Sequence, residues 1–141
     1  MKRTYSMVIS DKEFNFRLPV LALKKVSDKH GNAADFVARA GMEIEQMELL
    51  LGLAASYAGN TNPTTSGDEI LEMLIDDGYG MIASEKTLSE VAYRIGAVSG
   101  VFSQEIAEKV IKELYENING KVENPGEGNP MESRTAGATT G

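Results

Sequence analysis

The stretch 4–31, TYSMVISDKEFNFRLPVLALKKVSDKHG, constrains this chain most, because its hydrophobic pattern changes period from two to about four within one short segment. Tyr5, Met7 and Ile9 alternate with Ser6, Val8 and Ser10; Ser10, Asp11, Lys12 and Glu13 supply turn chemistry; Phe14, Phe16 and Leu18 then alternate again. Alternation on both sides of polar turn residues predicts a β-hairpin, with strands over 5–9 and 13–18. Pro19 suits a first helical position, where its missing N–H would have no partner anyway, and Val20, Leu21, Leu23 and Val26 continue at helical spacing to a stop at Gly31. The expected unit is a hairpin folded onto the helix that follows it, with the rings of Tyr5, Phe14 and Phe16 covering one helical face.

Past Gly31 the pattern stays helical. A short amphipathic piece carries Ala34, Phe36, Val37 and Ala40, and a longer one carries Ile44, Met47, Leu51, Ala54 and Ala58 at intervals of three and four. The longer helix is the expected central one. Glu43, Glu45 and Glu48 turn outward near its start, where the helix dipole favours negative charge. Gly52 inside it costs about 1 kcal/mol relative to alanine, which predicts close packing against a neighbour. A break over 59–63 ends this helix, and Ser66 with Glu69 then forms a capping box for a helix bearing Ile70, Leu71, Leu74 and Ile75. Asp77-Gly78-Tyr79-Gly80 ends that one. Thr87 and Glu90 form a second capping box, opening a helix with Leu88, Val91, Ala92, Ile95 and Val98 on one side and Gly100 at its close. Ser103 caps the last, whose stripe is Ile106, Val110, Ile111, Leu114 and Ile118 and whose stop is Asn119-Gly120.

The expected fold class is therefore mainly α: a compact bundle of four to six short helices with an N-terminal β-hairpin. From Pro125 on, glycine and polar residues dominate and Met131 is the only large apolar residue, too little to offset the entropy of ordering the chain. The division expected is a helical domain over 1–122 and a disordered tail over 123–141, dispensable for folding. At 141 residues and 42% hydrophobic content, one core is what such a chain can build.

Charge is distributed unevenly. The net −7 is made of +4 over residues 1–41, −8 over 42–80 and −3 over 81–141, and the middle third has no lysine or arginine at all. That is not the net basic face a general nucleic-acid binder presents to phosphate. With no cysteine, neither disulfides nor thiolate metal sites can form. Neither a signal peptide nor an apolar run of membrane-spanning length is visible, so a soluble cytoplasmic protein is expected, with no membrane and no nucleic acid among its partners.

Chemistry-bearing motifs are mostly missing: there is no phosphate-binding GxxxxGK[ST] loop, no HExxH, and the oxygen-rich stretch 60–68 lacks EF-hand spacing. The single histidine, His30, falls at a helix C-terminus, where a cation suits the dipole. Asp76 and Asp77 are adjacent, about 100° apart on a helix, and read as a solvated helix end rather than an acid pair. No catalytic residue, metal or cofactor is expected. The methionines are the better candidates for function. Met42, Met47, Met73 and Met81 lie in or beside helices, where methionine is usually core filler but also builds adaptable binding surfaces.

The layout of 4–31, a strand, a tight turn, a strand with aromatic alternation and a helix ending near glycine, followed by short acidic helices to about residue 120 and a polar tail, resembles the tail assembly chaperones of long-tailed phages and prophages of Gram-positive bacteria. The resemblance implies a non-catalytic protein that binds the tape measure protein, keeps that long apolar helical chain soluble, helps recruit tail tube subunits, and is absent from the mature virion. It also implies a longer product made by frameshifting near the C-terminus. Apolar helical segments of the partner are expected to bind the methionine-bearing stripes over 42–58 and 70–81. The alternatives are a head–tail connector or another small structural protein, or an enzyme accessory subunit. Charge asymmetry on identical subunits adds an expectation of head-to-tail self-association, pairing a basic side of Arg17, Lys24, Lys25 and Lys29 with an acidic side of Asp68, Glu69, Glu72 and Asp76.

Overall fold

In the computed structural model, residues 3–58, 66–81 and 85–123 are described, with side chains to residue 116. Strand β1 (Tyr5–Ile9) pairs antiparallel with β2 (Lys12–Phe16), Tyr5 opposite Phe16 and Ile9 opposite Lys12. Six α-helices follow among the described residues: α1 (Val20–His30), α2 (Ala33–Ala40), α3 (Ile44–Tyr57), α4 (Gly67–Asp76), α5 (Leu88–Val98) and α6 (Gln104–Glu123). Between α4 and α5 lies a two-residue parallel bridge, β3 (Tyr79–Gly80) with β4 (Lys86–Thr87), which hydrophobic periodicity had no means of signalling. The fold is mainly α with an N-terminal hairpin, as expected. The chain divides into two units, Met1–Ile111 and Lys112–Gly141, the division falling inside α6. This helix passes the expected stop at Asn119-Gly120 and runs to Glu123, a single glycine costing a helix only about 1 kcal/mol. The expected tail lies, beyond Glu123, outside the described residues.

The hairpin turn consists of Ser10 and Asp11 alone, both at positive φ (51° and 67°), as a two-residue connection that follows the strand twist requires. Lys12, read as a turn residue, already belongs to β2, which starts one residue before the expected Glu13 and ends at Phe16. Asp77, at the end of α4, holds the turn from outside: its carboxylate accepts from the Ser10 backbone N–H at 2.8 Å and from the Ser10 hydroxyl.

The hairpin does not fold onto the helix that follows it. Strand β2 lies against α3, and just after the strand the Arg17 N–H donates to the Ala54 carbonyl of α3 at 3.1 Å. Ile9, Phe14, Phe16 and Leu18 are buried, each side chain contributing about 1.5–3 kcal/mol relative to exposure. Helix α1 buries only Ala22 and Val26, a narrow i, i+4 stripe against α2, and leaves Val20 and Leu21 exposed. The apolar stripe expected on α1 is therefore only partly a core stripe.

Helix α3 is the central element, packing on β2, α2, α4 and α5. Its contact with α4 is closed by two glycines: a Cβ at Gly52 would lie 3.3 Å from the Gly67 nitrogen, and a Cβ at Gly67 would overlap the Glu48 carbonyl. The close packing expected of Gly52 is what the structure contains. The capping box of α4 is formed, with the Ser66 N–H donating to the Glu69 carboxylate at 3.1 Å. Thr87 caps α5, accepting from the Glu90 N–H at 3.2 Å, and Ser103 caps α6, accepting from the Ile106 N–H at 3.1 Å. Asn32 caps α2 by accepting from Ala34 and Asp35, a role not read from the sequence.

Candidate functional site

Among the described residues, two of the clefts on the first unit differ in chemistry. One, about 320 Å³, is lined by four charged residues, Lys12, Asp68, Glu69 and Glu72, and by Met73. The other, about 680 Å³, lies between α1 and α3. Lys25, Val26, Asp28, Lys29 and His30 line it from α1, and Leu49 and Leu53 from α3. Most of its wall is apolar. The volume lies inside the range of about 300–1,000 Å³ typical of binding clefts, enough to take several side chains of a partner.

This groove exists because α3 has more apolar residues than one buried face can use. Met47, Leu50, Leu51 and Ala54 face the core, while Leu49 and Leu53, separated by one turn, project to the side, Leu53 packing against the edge of the core and Leu49 lying outside it. Leu49 is 43% exposed and Leu53 half-buried. At one end the His30 ring lies 5.1 Å from the buried Phe36 ring. Along the rim Lys25 reaches toward the Tyr57 hydroxyl (Nζ to O, 3.4 Å), and Lys29 follows one turn later. The result is an apolar floor with cationic edges, and Asp28 as the one acid among its lining residues.

The four methionines expected to form a binding surface are not brought together. Met42 is 56% exposed, in the turn between α2 and α3, while Met47 is 1% exposed and belongs to the core. That removes Met47 from any surface site, its position on α3 pointing with Leu50, Leu51 and Ala54. Met73 and Met81 are half-buried and packed against the core, Met73 also lining the smaller cleft beside Lys12. None of the four lines the groove.

The basic residues divide as well. Arg17 is not on a free surface: its guanidinium donates to the Val98 carbonyl at 2.8 Å and the Arg3 carbonyl at 3.0 Å, and Arg3 donates to Ala97. Two guanidinium groups thus meet the C-terminal carbonyls of α5, where partial negative charge collects, while the buried Ser99 hydroxyl accepts from the Leu18 N–H at 2.8 Å. Arg17 is a tie between the hairpin and α5. Lys24, Lys25 and Lys29 are exposed on α1, of which Lys25 and Lys29 reach the groove and Lys24 lies about 100° away from Lys25 around the helix. The acidic residues do share a surface. Asp68, Glu69, Glu72 and Asp76 are all exposed on α4, and the Ser66 hydroxyl, bonded to Asp68, holds that carboxyl below its ordinary pKa. Asp77 is not merely a solvated helix end, since it binds the hairpin turn.

Sequence reasoning missed Leu49, Leu53 and Tyr57 as site residues. The available signal was the excess of leucine in Leu49-Leu50-Leu51 and Leu53, more than the single stripe drawn through Met47 and Leu51 could account for. Among the described residues no group of three or more His, Asp or Glu side chains is placed to hold a metal ion, and no helix is long and apolar enough to cross a membrane. No family model, no curated protein and no solved structure matches this chain.

Proposed function

We propose that this protein is a non-catalytic, helix-binding assembly factor of the tail assembly chaperone kind, which takes an apolar helical segment of a tape measure protein into the groove between α1 and α3. The observation that carries the reading is the groove itself, with Leu49 and Leu53 on its wall and Lys25 and Lys29 on its rim. An amphipathic helix laid into such a groove buries apolar side chains at i and i+3 or i+4 and leaves its polar flank to the lysines, a recurrent mode of peptide recognition. Exposed Leu21 and Tyr57, on the two helices that form the groove, extend the apolar area available to a partner. Met42 and Ile44, both exposed where α3 begins, offer a second apolar contact for a long client. In this reading the protein acts in the host cytoplasm, hands the tape measure chain to tail tube subunits, and is left out of the finished virion.

The test is co-expression with a tape measure fragment that aggregates by itself. Wild-type protein should keep the fragment soluble and co-purify with it; Leu49→Glu/Leu53→Glu should fold normally and do neither. A double variant that solubilises the fragment as well as wild type would put the client elsewhere. Recovery of the protein in stoichiometric amounts from purified virions would favour a connector instead.

A further inference from the structure

We propose that the groove between α1 and α3 also receives helix α4 of a second copy of this chain, so that copies associate head to tail. The inference rests on reading the groove as a helix-binding site, and takes its occupant from charge and spacing. Helix α4 has four exposed acids, Asp68, Glu69, Glu72 and Asp76, and no basic residue. The groove offers Lys25 and Lys29. Each pair, Lys25 with Lys29 and Glu72 with Asp76, is four residues apart, which places both partners about 6 Å along their helix axes and lets two contacts form in register.

The apolar part matches too. Ile75 is 52% exposed on α4, a position where the helix does nothing for its own core. Around the helix it lies about 60° from Glu72 and about 100° from Asp76. With those two carboxylates turned toward α1, Ile75 falls on the α3 side of the groove, over Leu49 and Leu53. Asp28 on the rim opposes the contact, and His30 at its end is the remaining titratable group lining the groove. Exposed ion pairs hold partners weakly and choose their orientation, while the buried Ile75 contact supplies the attraction. Because the groove and the outer face of α4 are different surfaces, the contact is heterologous and propagates.

Sedimentation velocity on the full chain alone tests this, without any client, so its result is independent of whether a tape measure fragment binds. Wild type should associate with rising concentration and less so when salt goes from about 50 to about 500 mM, across which the screening length falls roughly threefold. Lys25→Glu/Lys29→Glu and Glu72→Lys/Asp76→Lys should each associate at least about tenfold more weakly alone, the equivalent of losing and reversing two pairs. Mixed together they should recover, since an acidic groove then meets a basic helix and the unaltered surfaces also match. Ile75→Ser should weaken association at both salt concentrations. Unchanged melting curves for these surface variants establish that folding is intact. A monomer at every concentration, charge reversals without effect, or a mixture that does not recover would each overturn the proposal.

Discussion

Helix α3 is flanked by α4 and by α1, and the two flanks end up in opposite states. Toward α4 it presents Gly52, and α4 answers with Gly67, so the helices meet with backbone against backbone and no room for a side chain. Toward α1 it presents Leu49 and Leu53, and α1 answers with Lys25 and Lys29, and a groove of about 680 Å³ remains between the two helices. Small residues let a helix crossing close, whereas long side chains of unlike character hold it open. The closed flank contributes stability and the open flank is where a partner can still gain by burying apolar surface.

Substitutions on each flank can break this contrast. Among the flank substitutions the largest effect is expected at Gly67, where alanine would drive its Cβ into the Glu48 carbonyl; despite alanine's better helix propensity, Gly67→Ala should lose about 3 kcal/mol, on the order of 10 °C in melting temperature. A rise in stability would mean the crossing is not closed by contact. Next come the two kinds of cation. Arg17→Met should cost about 1–3 kcal/mol through the lost bonds to Val98 and Arg3, whereas Lys25→Met on the groove rim should stay within about 0.5 kcal/mol in urea unfolding. Equal losses would erase the distinction between interior tie and open rim.

Leu53→Ser should lose about 1–2 kcal/mol, because a half-buried side chain gives up about half its transfer energy and serine is the poorer helix former, while Leu50→Ala in the core should lose about 2–5 kcal/mol. The smallest effect is a pH dependence away from both flanks. Burial first, then Glu90 and Asp77, raises the Tyr79 hydroxyl above its ordinary 10.0, and burial raises Tyr93. With folded values above unfolded ones, the contribution of these groups is fully present below pH 10.0 and is lost as pH climbs through the raised values. Melting temperature followed through alkaline pH should show a fall that Tyr79→Phe/Tyr93→Phe diminishes.

Local chemistry was legible in the amino-acid order: the hairpin from alternation, the helix starts at Ser66, Thr87 and Ser103 from capping residues, the stops at Gly31 and Gly100, and the close approach at Gly52. Each depends on bonds or dihedral angles within a few residues, which is why sequence spacing determined them. Tertiary structure decided which surface each element meets. It put the hairpin on α3 instead of α1, turned Arg17 inward to the end of α5, took Met47 into the core and left Leu49 and one side of Leu53 to the groove. A helical stripe states that a side chain lies on one face; whether that face is covered depends on where the remaining elements find room, and a helix apolar on more than one side leaves that choice to packing.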